Sequence, residues 1–419
     1  MNIKPNDRIV IIGGGFAGLQ LVRELKNKPV RVTLIDKQNF HSFQPLLYQV
    51  ASARIEPASI SFPFRKVFQG YKNFDFRMST VLSVDTELKQ VVTDNSVVKY
   101  DHLVIATGCS TNFFGNEELK KHALPMKEMP DAIDIRNKIL KDFEDYAIGD
   151  DKEKEKLMNV VVVGAGPTGV ELSGAFAELR NDVLPRDYPK VDFSGLDIYL
   201  LEGGPNTLGN MSEESQRVSR EFLESLGVRV KTNVILKSYD GNNAVLSDGE
   251  VIPCKNLIWS AGVMGNTIEG VSDKEKIVRN RYIVDRYNQI VGTDNIYAIG
   301  DIAYMETPLY PKGHPQVANV AINQGKILGK NFIRSIKGKE LVEYEYKDLG
   351  SMATIGKNKA VVDLKHFKFQ GFFAWFVWMF LHLMLILTVR NKLIIFINWA
   401  WAYFTKDTSL RLIINHKKE

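Results

Sequence analysis

RIVIIGGGFAGLQLVRELKNKPVRVTLID, residues 8–36, is the stretch whose order of residue types decides the fold. Its opening apolar run is β-branched and nearly continuous, as suits a strand buried on both faces. A glycine turn follows, then helical spacing, then a second strand of the same kind. The glycines have separate tasks. Gly13 permits the tight turn. Gly15 has no side chain, so a pyrophosphate can approach the backbone. Gly18 lets the helix lie close on the strand. The helix N-terminus offers free N–H groups and a partial positive charge to phosphate. Asp36 ends the second strand 23 residues after Gly13, where a carboxylate accepts hydrogen bonds from a ribose. A glycine turn alone can be purely structural. Strand, turn, helix, strand and acid in this order predict a dinucleotide site lined by Gly13, Gly15, Phe16, Ala17, Gly18, Asp36 and Lys37.

The pattern recurs in residues 159–202: NVVVVGAGPTGVELSGAFAEL, an insertion, then LDIYLLE. Gly164, Gly166 and Gly169 take the same three tasks, with Pro167 and Thr168 opening the helix. Glu202 ends the second strand 38 residues after Gly164, against the usual spacing of about 20. The polar, proline-containing insertion 181–195 absorbs the excess. A carboxylate hydrogen-bonds a free 2′-hydroxyl and repels a 2′-phosphate. Gly203 and Gly204 follow it, with no arginine to receive a phosphate, so NADH is expected over NADPH. The chain therefore reads as α/β, with two Rossmann-like doubly wound dinucleotide-binding domains.

The rest of the chain fits around these units. Its 419 residues, 45% hydrophobic and 25% charged, imply a globular protein of two or three domains. The net charge of +5 is spread out, and no basic block suggests a nucleic-acid footprint. Cys109 and Cys254 are far apart and form no CxxC pair, so no disulfide framework or metal site is expected. The N-terminal apolar run reads as a first strand rather than a signal peptide, so the catalytic body is expected in the cytoplasm. Residues 74–105 read as short strands, 128–146 as a helix, 149–159 as a charged connector, 228–259 as hairpin-like strands and about 315–337 as a helix. LVIATG (103–108) and NIYAIGD (295–301) each end a buried strand at a turn. Asp301 thus stands at a strand's carboxyl end, where ligands bind; a helix N-cap is the structural alternative.

Two fingerprints with NIYAIGD after both resemble the two-dinucleotide-domain flavoprotein reductases. The resemblance implies that the first unit binds FAD without a covalent bond, completed by Ala106, Thr107, Gly108, Gly300 and Asp301. The second unit would then bind NADH, with Ala261 and Gly262 of IWSAG beside it. Disulfide reductases of that fold carry CxxxxC after the first fingerprint; here HSFQPLLYQVA (41–51) stands there without cysteine, so electrons need another exit. This segment, together with GAGPTGVEL, ANVAINQG (318–325) and an aromatic C-terminal tail, resembles the type II NADH:quinone oxidoreductases over essentially the whole chain. That resemblance implies non-pumping oxidation of NADH with reduction of a membrane quinone. It implies that Pro45, Leu46, Tyr48 and Gln49 line the flavin. It also implies that Asn323 or Gln324 contacts the quinone, with asparagine at the family's usual glutamine. Glu171 of GVEL is implied as a proton relay or a nicotinamide-positioning group, a helix salt bridge being the structural alternative. The sulfide:quinone oxidoreductases are the nearest competitor, but they need redox cysteines that are badly placed here. A soluble-acceptor flavin reductase and a redox-sensing flavoprotein without turnover are the other readings.

Residues 371–404, GFFAWFVWMFLHLMLILTVRNKLIIFINWAWAYF, form the most apolar and aromatic stretch. The run 372–389, interrupted by His382 and Thr388, sits at the lower limit for spanning a bilayer. The second run, from Leu393 to Phe404, is shorter still. Trp375, Trp378, Trp399, Trp401 and Tyr403, flanked by Arg390, Lys392, Arg411, Lys417 and Lys418, suit helices lying in a membrane interface. The expectation is a monotopic anchor on a membrane lipid surface at the cytoplasmic face, with a helical lid or a homodimer contact as the alternatives. Such a tail has too few internal ionisable groups to pump protons. The expected domains are 1–112 with 280–345 for FAD, 113–279 for NADH, and 346–419 as the C-terminal membrane-anchoring domain.

Overall fold

The computed structural model describes residues 1–148, 159–193, 195–271, 274–407 and 410–413. The connector expected over 149–159 lies outside them except for Asn159, as do Ser194, Lys417 and Lys418. The chain divides into two compact units.

The first unit comprises residues 1–42, 61–110 and 263–347. Five parallel strands form its sheet, in the order Ile296–Ala298, His102–Ile105, Arg8–Ile12, Arg31–Asp36 and Phe74–Met78. Counted from the glycine turn, the chain winds outward to Phe74–Met78 and then crosses to the other side. A switch point therefore lies between Arg8–Ile12 and His102–Ile105, at the carboxyl ends of both strands. The helix Phe16–Glu24 packs on Ala318–Ile336 so closely that side chains are excluded. A Cβ on Gly325 would lie 2.4 Å from the Ala17 carbonyl oxygen, and one on Gly329 2.5 Å from the Glu24 Cβ. Val10, Ile12, Ile35, Leu103, Ile105 and Ala298 centre the core beneath.

The second unit comprises residues 43–60, 111–262 and 348–419. Its parallel sheet runs Leu124–Pro125, Asn256–Trp259, Val160–Val163, Ile198–Leu201 and Val228–Lys231. Counted from its own glycine turn, it winds and crosses as the first sheet does. Val228–Lys231 is thus the edge strand of the parallel sheet and not part of a hairpin; the hairpins are Leu236–Tyr239, Asn243–Leu246 and Val251–Pro253. The insertion begins as helix: it continues Pro167–Glu178 as a π-helical turn, Leu179–Val183, and a last turn, Leu184–Asp187, before residues 188–193 run as irregular chain.

The units depart from the expected domain boundaries, for physical reasons. Residues 263–279 group with the first unit: Asn266 bonds Thr107 and Gly108, and a Cβ on Gly270 would lie 2.0 Å from the Val84 carbonyl oxygen. Residues 348–419 group with the second unit because they open with a sheet absent from the sequence reading: Ser351–Gly356, Lys359–Asp363 and Lys368–Gln370. Its backbone lies directly on the second fingerprint helix, where a Cβ on Gly174 would meet the Ile355 carbonyl oxygen at 2.0 Å. Asp363 in turn accepts hydrogen bonds from Ser212 and Ser215.

The aromatic run 372–389 is broken. The helix Phe372–Leu385 ends at an extended Ile386, and Thr388 caps the next helix, Val389–Thr405, by accepting from the Asn391 amide. At 14 and 17 residues these helices rise about 21–26 Å, short of the ~30 Å hydrocarbon layer. No helix among the described residues is long and apolar enough to cross a membrane.

Candidate functional site

Both glycine turns are built by the same bonds. Gly13 has φ +101° and donates its N–H to the Ile35 carbonyl; Gly164 has φ +99° and donates to Leu201. Neither could carry a side chain, since a Cβ would strike Ala106 or Ala261. Gly18 and Gly169 each press on the carbonyl of the first glycine, 1.9 Å from where a Cβ would stand. Gly15 and Gly166 have nothing within 4 Å of that position, so both turns are open on the side where a pyrophosphate would lie. The terminal acids clamp the turns. Asp36 accepts from the Gly14 amide at 2.6 Å and the Gln38 amide at 2.7 Å. Glu202 accepts from Ala165 at 2.7 Å and Gly204 at 2.8 Å. Pro167 and Thr168 are exposed at the helix start, Phe16 is half-buried and Lys37 exposed.

In the first unit, the ATG turn and NIYAIGD come together with the glycine loop. Thr107 donates to the Asn266 carbonyl at 2.7 Å. Gly108 has φ +64° and open space before it. Gly300, at φ +79°, lies against Ala17, so Asp301 stands next to the fingerprint helix. Asp301 lies in a single helical turn, Gly300–Ile302, without a side-chain cap bond; its carboxylate accepts from the buried Cys109 thiol at 2.9 Å. Gln324 is fully buried, and its Oε1 accepts from the Gly300 amide at 2.7 Å while its Nε2 has no partner among the described residues. Asn323 instead turns back on its own helix to Asn319. Sequence reasoning missed His41. Its Nδ1 lies 3.0 Å from the Gly14 carbonyl oxygen, and its ring stands edge-on to Phe16. Burial lowers its pKa to about 4, so it is neutral.

In the second unit, the segment Gln44–Ala51 meets the tail. Pro45 and Leu46 form a single turn, and Tyr48 and Gln49 lie on the following helix, Leu47–Ala51. Gln49 donates to the Tyr48 hydroxyl at 2.9 Å and accepts from the Trp399 indole at 2.7 Å. These residues open on a cavity that is also lined by Trp375, Trp378, Trp399, Tyr403, Arg54, Glu178 and Lys357. Arg54 and Glu178 form an ion pair, and the Lys357 amide also donates to Glu178. Glu171 lies behind, buried among Thr354, Trp378 and Tyr48. Burial raises its pKa to about 8, against the Thr354 amide and Trp378 indole that hydrogen-bond its charged form. No ion pair forms at Glu171 among the described residues, which disposes of the helix salt bridge. Arg54, Glu178, Thr354 and Lys357 were not legible beforehand. They lie up to three hundred residues apart, and the one local signal was a charged or polar residue at Arg54, Glu178 and Thr354 inside otherwise apolar segments.

Comparison with known proteins gives this geometry a family. The family model described as pyridine nucleotide-disulphide oxidoreductase matches residues 7–325, and that of the NDH2 C-terminal domain matches 349–406. The type II NADH:quinone oxidoreductase Ndh of Mycobacterium tuberculosis is 32% identical over 418 residues, covering 95% of this chain and 88% of that protein. The NDH2 of Plasmodium falciparum, solved in complex with NADH, superposes with a TM-score of 0.89 at 23% identity, covering 98% of this chain and 100% of that one. The sulfide:quinone oxidoreductase of Aquifex aeolicus shares the fold at a TM-score of 0.73 and 19% identity over 96% of each chain. With two intact dinucleotide turns, a tail matched as the NDH2 C-terminal domain and no cysteine pair, the chain belongs to the type II NADH:quinone oxidoreductases, the FAD-dependent, non-pumping NADH dehydrogenases.

Proposed function

We propose that the first unit holds FAD, the second holds NADH, and quinone arrives through the cavity beneath the tail helices from a membrane surface at the cytoplasmic face. The observation that carries this reading is the meeting of Tyr48 and Gln49 with the tail aromatics in one cavity beside the buried Glu171.

The residues present fit a flavin dinucleotide. Gly15 and Gly108 leave space where any other residue would fill it, and Gln324 carries a buried, unpartnered N–H group. FAD, when bound, supplies the redox chemistry that links a hydride donor to a two-electron acceptor. Around it, the Phe16–Glu24 helix end and Gly15 receive pyrophosphate, Asp36 receives ribose, and Asp301 receives the remaining hydroxyls. Gln324 acts as a positioning residue by fixing Gly300. In the second unit, Gly166 and the following helix end receive the phosphates of NADH, and Glu202 its ribose.

Quinone reduction consumes two electrons and two protons, and hydride supplies only one proton. Glu171, held protonated to about pH 8 by burial, is a donor at neutral pH beside the cavity. The Trp399–Gln49–Tyr48 hydrogen bonds orient the amide and hydroxyl at its mouth. The tail supports the membrane reading by its sidedness. Phe372, Phe373, Phe376, Phe380, Phe396 and Phe404 are exposed, whereas Ala374, Trp378, Ile386 and Ile395 face inward. Such a surface lies on a bilayer and does not span it.

The test separates the two half-reactions. Trp399→Phe keeps an aromatic ring in place of the indole and removes the N–H that holds Gln49. Reduction of the bound flavin by NADH should be unchanged in stopped flow, and reoxidation by ubiquinone or menaquinone analogues should slow several-fold. Unchanged reoxidation with both quinones would remove the cavity from the quinone's path.

A further inference from the structure

Phe114, its ring edge-on to Trp259, combines three features. It is a bulky residue at φ +52°, the left-handed region that favours glycine. Its side chain is 70% exposed. Its ring nevertheless lies in a fixed place, directly over Gly262, where a Cβ would come within 2.8 Å of it. The turn is pinned from three directions: the Asn112 amide donates to Gly262, the Phe114 amide to the Asn112 side chain, and the Trp259 indole to the Asn112 carbonyl. Strained backbone that the surroundings over-determine gathers at ligand clamps.

A second exposed apolar residue, Ile235 at 63%, stands beside Gly203, 3.5 Å from where a Cβ would be. It too is held in place. The Asn233 and Val234 amides donate to the Gly204 and Glu202 carbonyls, and Ile235 and Ser247 exchange hydrogen bonds.

The sheet gives these two residues an order. Glu202 and Gly203 follow Ile198–Leu201, on one side of the glycine turn, while Ser260–Gly262 follow Asn256–Trp259, on the other. A dinucleotide with its pyrophosphate at Gly166 and its adenosine ribose on Glu202 must send its second nucleoside towards Gly262. We infer that Ile235 and Phe114 are substrate-positioning residues for NADH, Ile235 as the wall against the adenine ring and Phe114 as the wall at the nicotinamide end. Both planar rings are apolar on their faces, and each meets the apolar side chain available at its end. The inference rests on the reading that the second unit takes NADH.

The experiment uses the FAD-loaded enzyme, with NADH as substrate and ADP-ribose, which lacks nicotinamide, as competitive inhibitor. Ile235→Ala should raise both the KM for NADH and the Ki of ADP-ribose about 10-fold, the order expected for one lost apolar contact. Phe114→Gly removes the ring and relaxes the backbone at φ +52°, so the variant folds. It should lower kcat/KM for NADH about 10-fold and leave the Ki of ADP-ribose unchanged, and Phe114→Tyr should restore the wild-type value. Equal effects of Phe114→Gly on both ligands, or no effect of either variant, would overturn the assignment. Failure of ADP-ribose to compete with NADH in the wild type would instead overturn the placement of NADH in this unit.

Discussion

Replacing Glu171 by glutamine removes a titration that the fold disfavours. The carboxyl group is buried beside Tyr48, Thr354 and Trp378, and burial lifts its pKa from the ordinary 4.5 to about 8. Below pH 4.5 the folded and unfolded chains both hold the proton, and the group leaves stability unchanged. From there to about pH 8 the folded chain keeps a proton that the unfolded chain has released. Stability therefore falls as pH rises, by about 1.4 kcal/mol per pH unit. Over the whole window the loss is on the order of 4–5 kcal/mol, and it is constant above about pH 8. Glutamine is neutral throughout and keeps an oxygen for the Thr354 amide. Glu171→Gln should match the wild type near pH 4.5, and its advantage should grow to a few kcal/mol by pH 8. The assay is urea unfolding from pH 5 to 9 at fixed, saturating FAD, since cofactor concentration itself shifts stability. The same variant, having lost its ionisable proton, should slow quinone reduction most at neutral pH. Parallel stability curves for the two proteins would mean that Glu171 does not carry a buried proton, and its proposed role would fall with it.

Gln324→Leu should leave the buried Gly300 amide without its acceptor, a loss of about 1–3 kcal/mol, and both it and Asp301→Ala should loosen FAD; FAD content after dialysis reads both, and full retention in both variants would refute the site. Glu202→Gln should narrow the preference for NADH over NADPH, measured as the ratio of kcat/KM values. Because the carboxylate accepts two backbone amides, the variant should also lose affinity for NADH itself, and an unchanged ratio would show that Glu202 is not the ribose ligand. Serine at Phe376, Phe380 and Phe396, all exposed, should release the protein from vesicles in a flotation assay without loss of FAD. Each fully buried phenylalanine contributes roughly 1.5–3 kcal/mol, so unchanged flotation would assign this face to another partner. A chain ending near Lys365 should aggregate, because Trp399 and Asn391 bond residues 49, 58 and 59 inside the second unit.

The sequence by itself determined both dinucleotide turns and the order of elements around them. Their rules are local: a turn at φ +101° or +99° tolerates only glycine, and an acid at a strand's end is fixed by strand length. It also marked the tail as amphiphilic, because composition survives any arrangement. What it left open was whatever depends on residues distant in the chain. Whether Asn323 or Gln324 was free could not be read from two adjacent amides; the rotation of one helix gave Gln324 to Gly300 and turned Asn323 along its own axis. The sheet Ser351–Gln370 carried no fingerprint, since its strands are defined by where they pack, against Gly174. Glu171 looked like any glutamate on a helix. Its pKa of about 8 comes from burial under segments roughly two hundred residues further on, which outweighs the hydrogen bonds from the Thr354 amide and the Trp378 indole, and only the tertiary fold can do that.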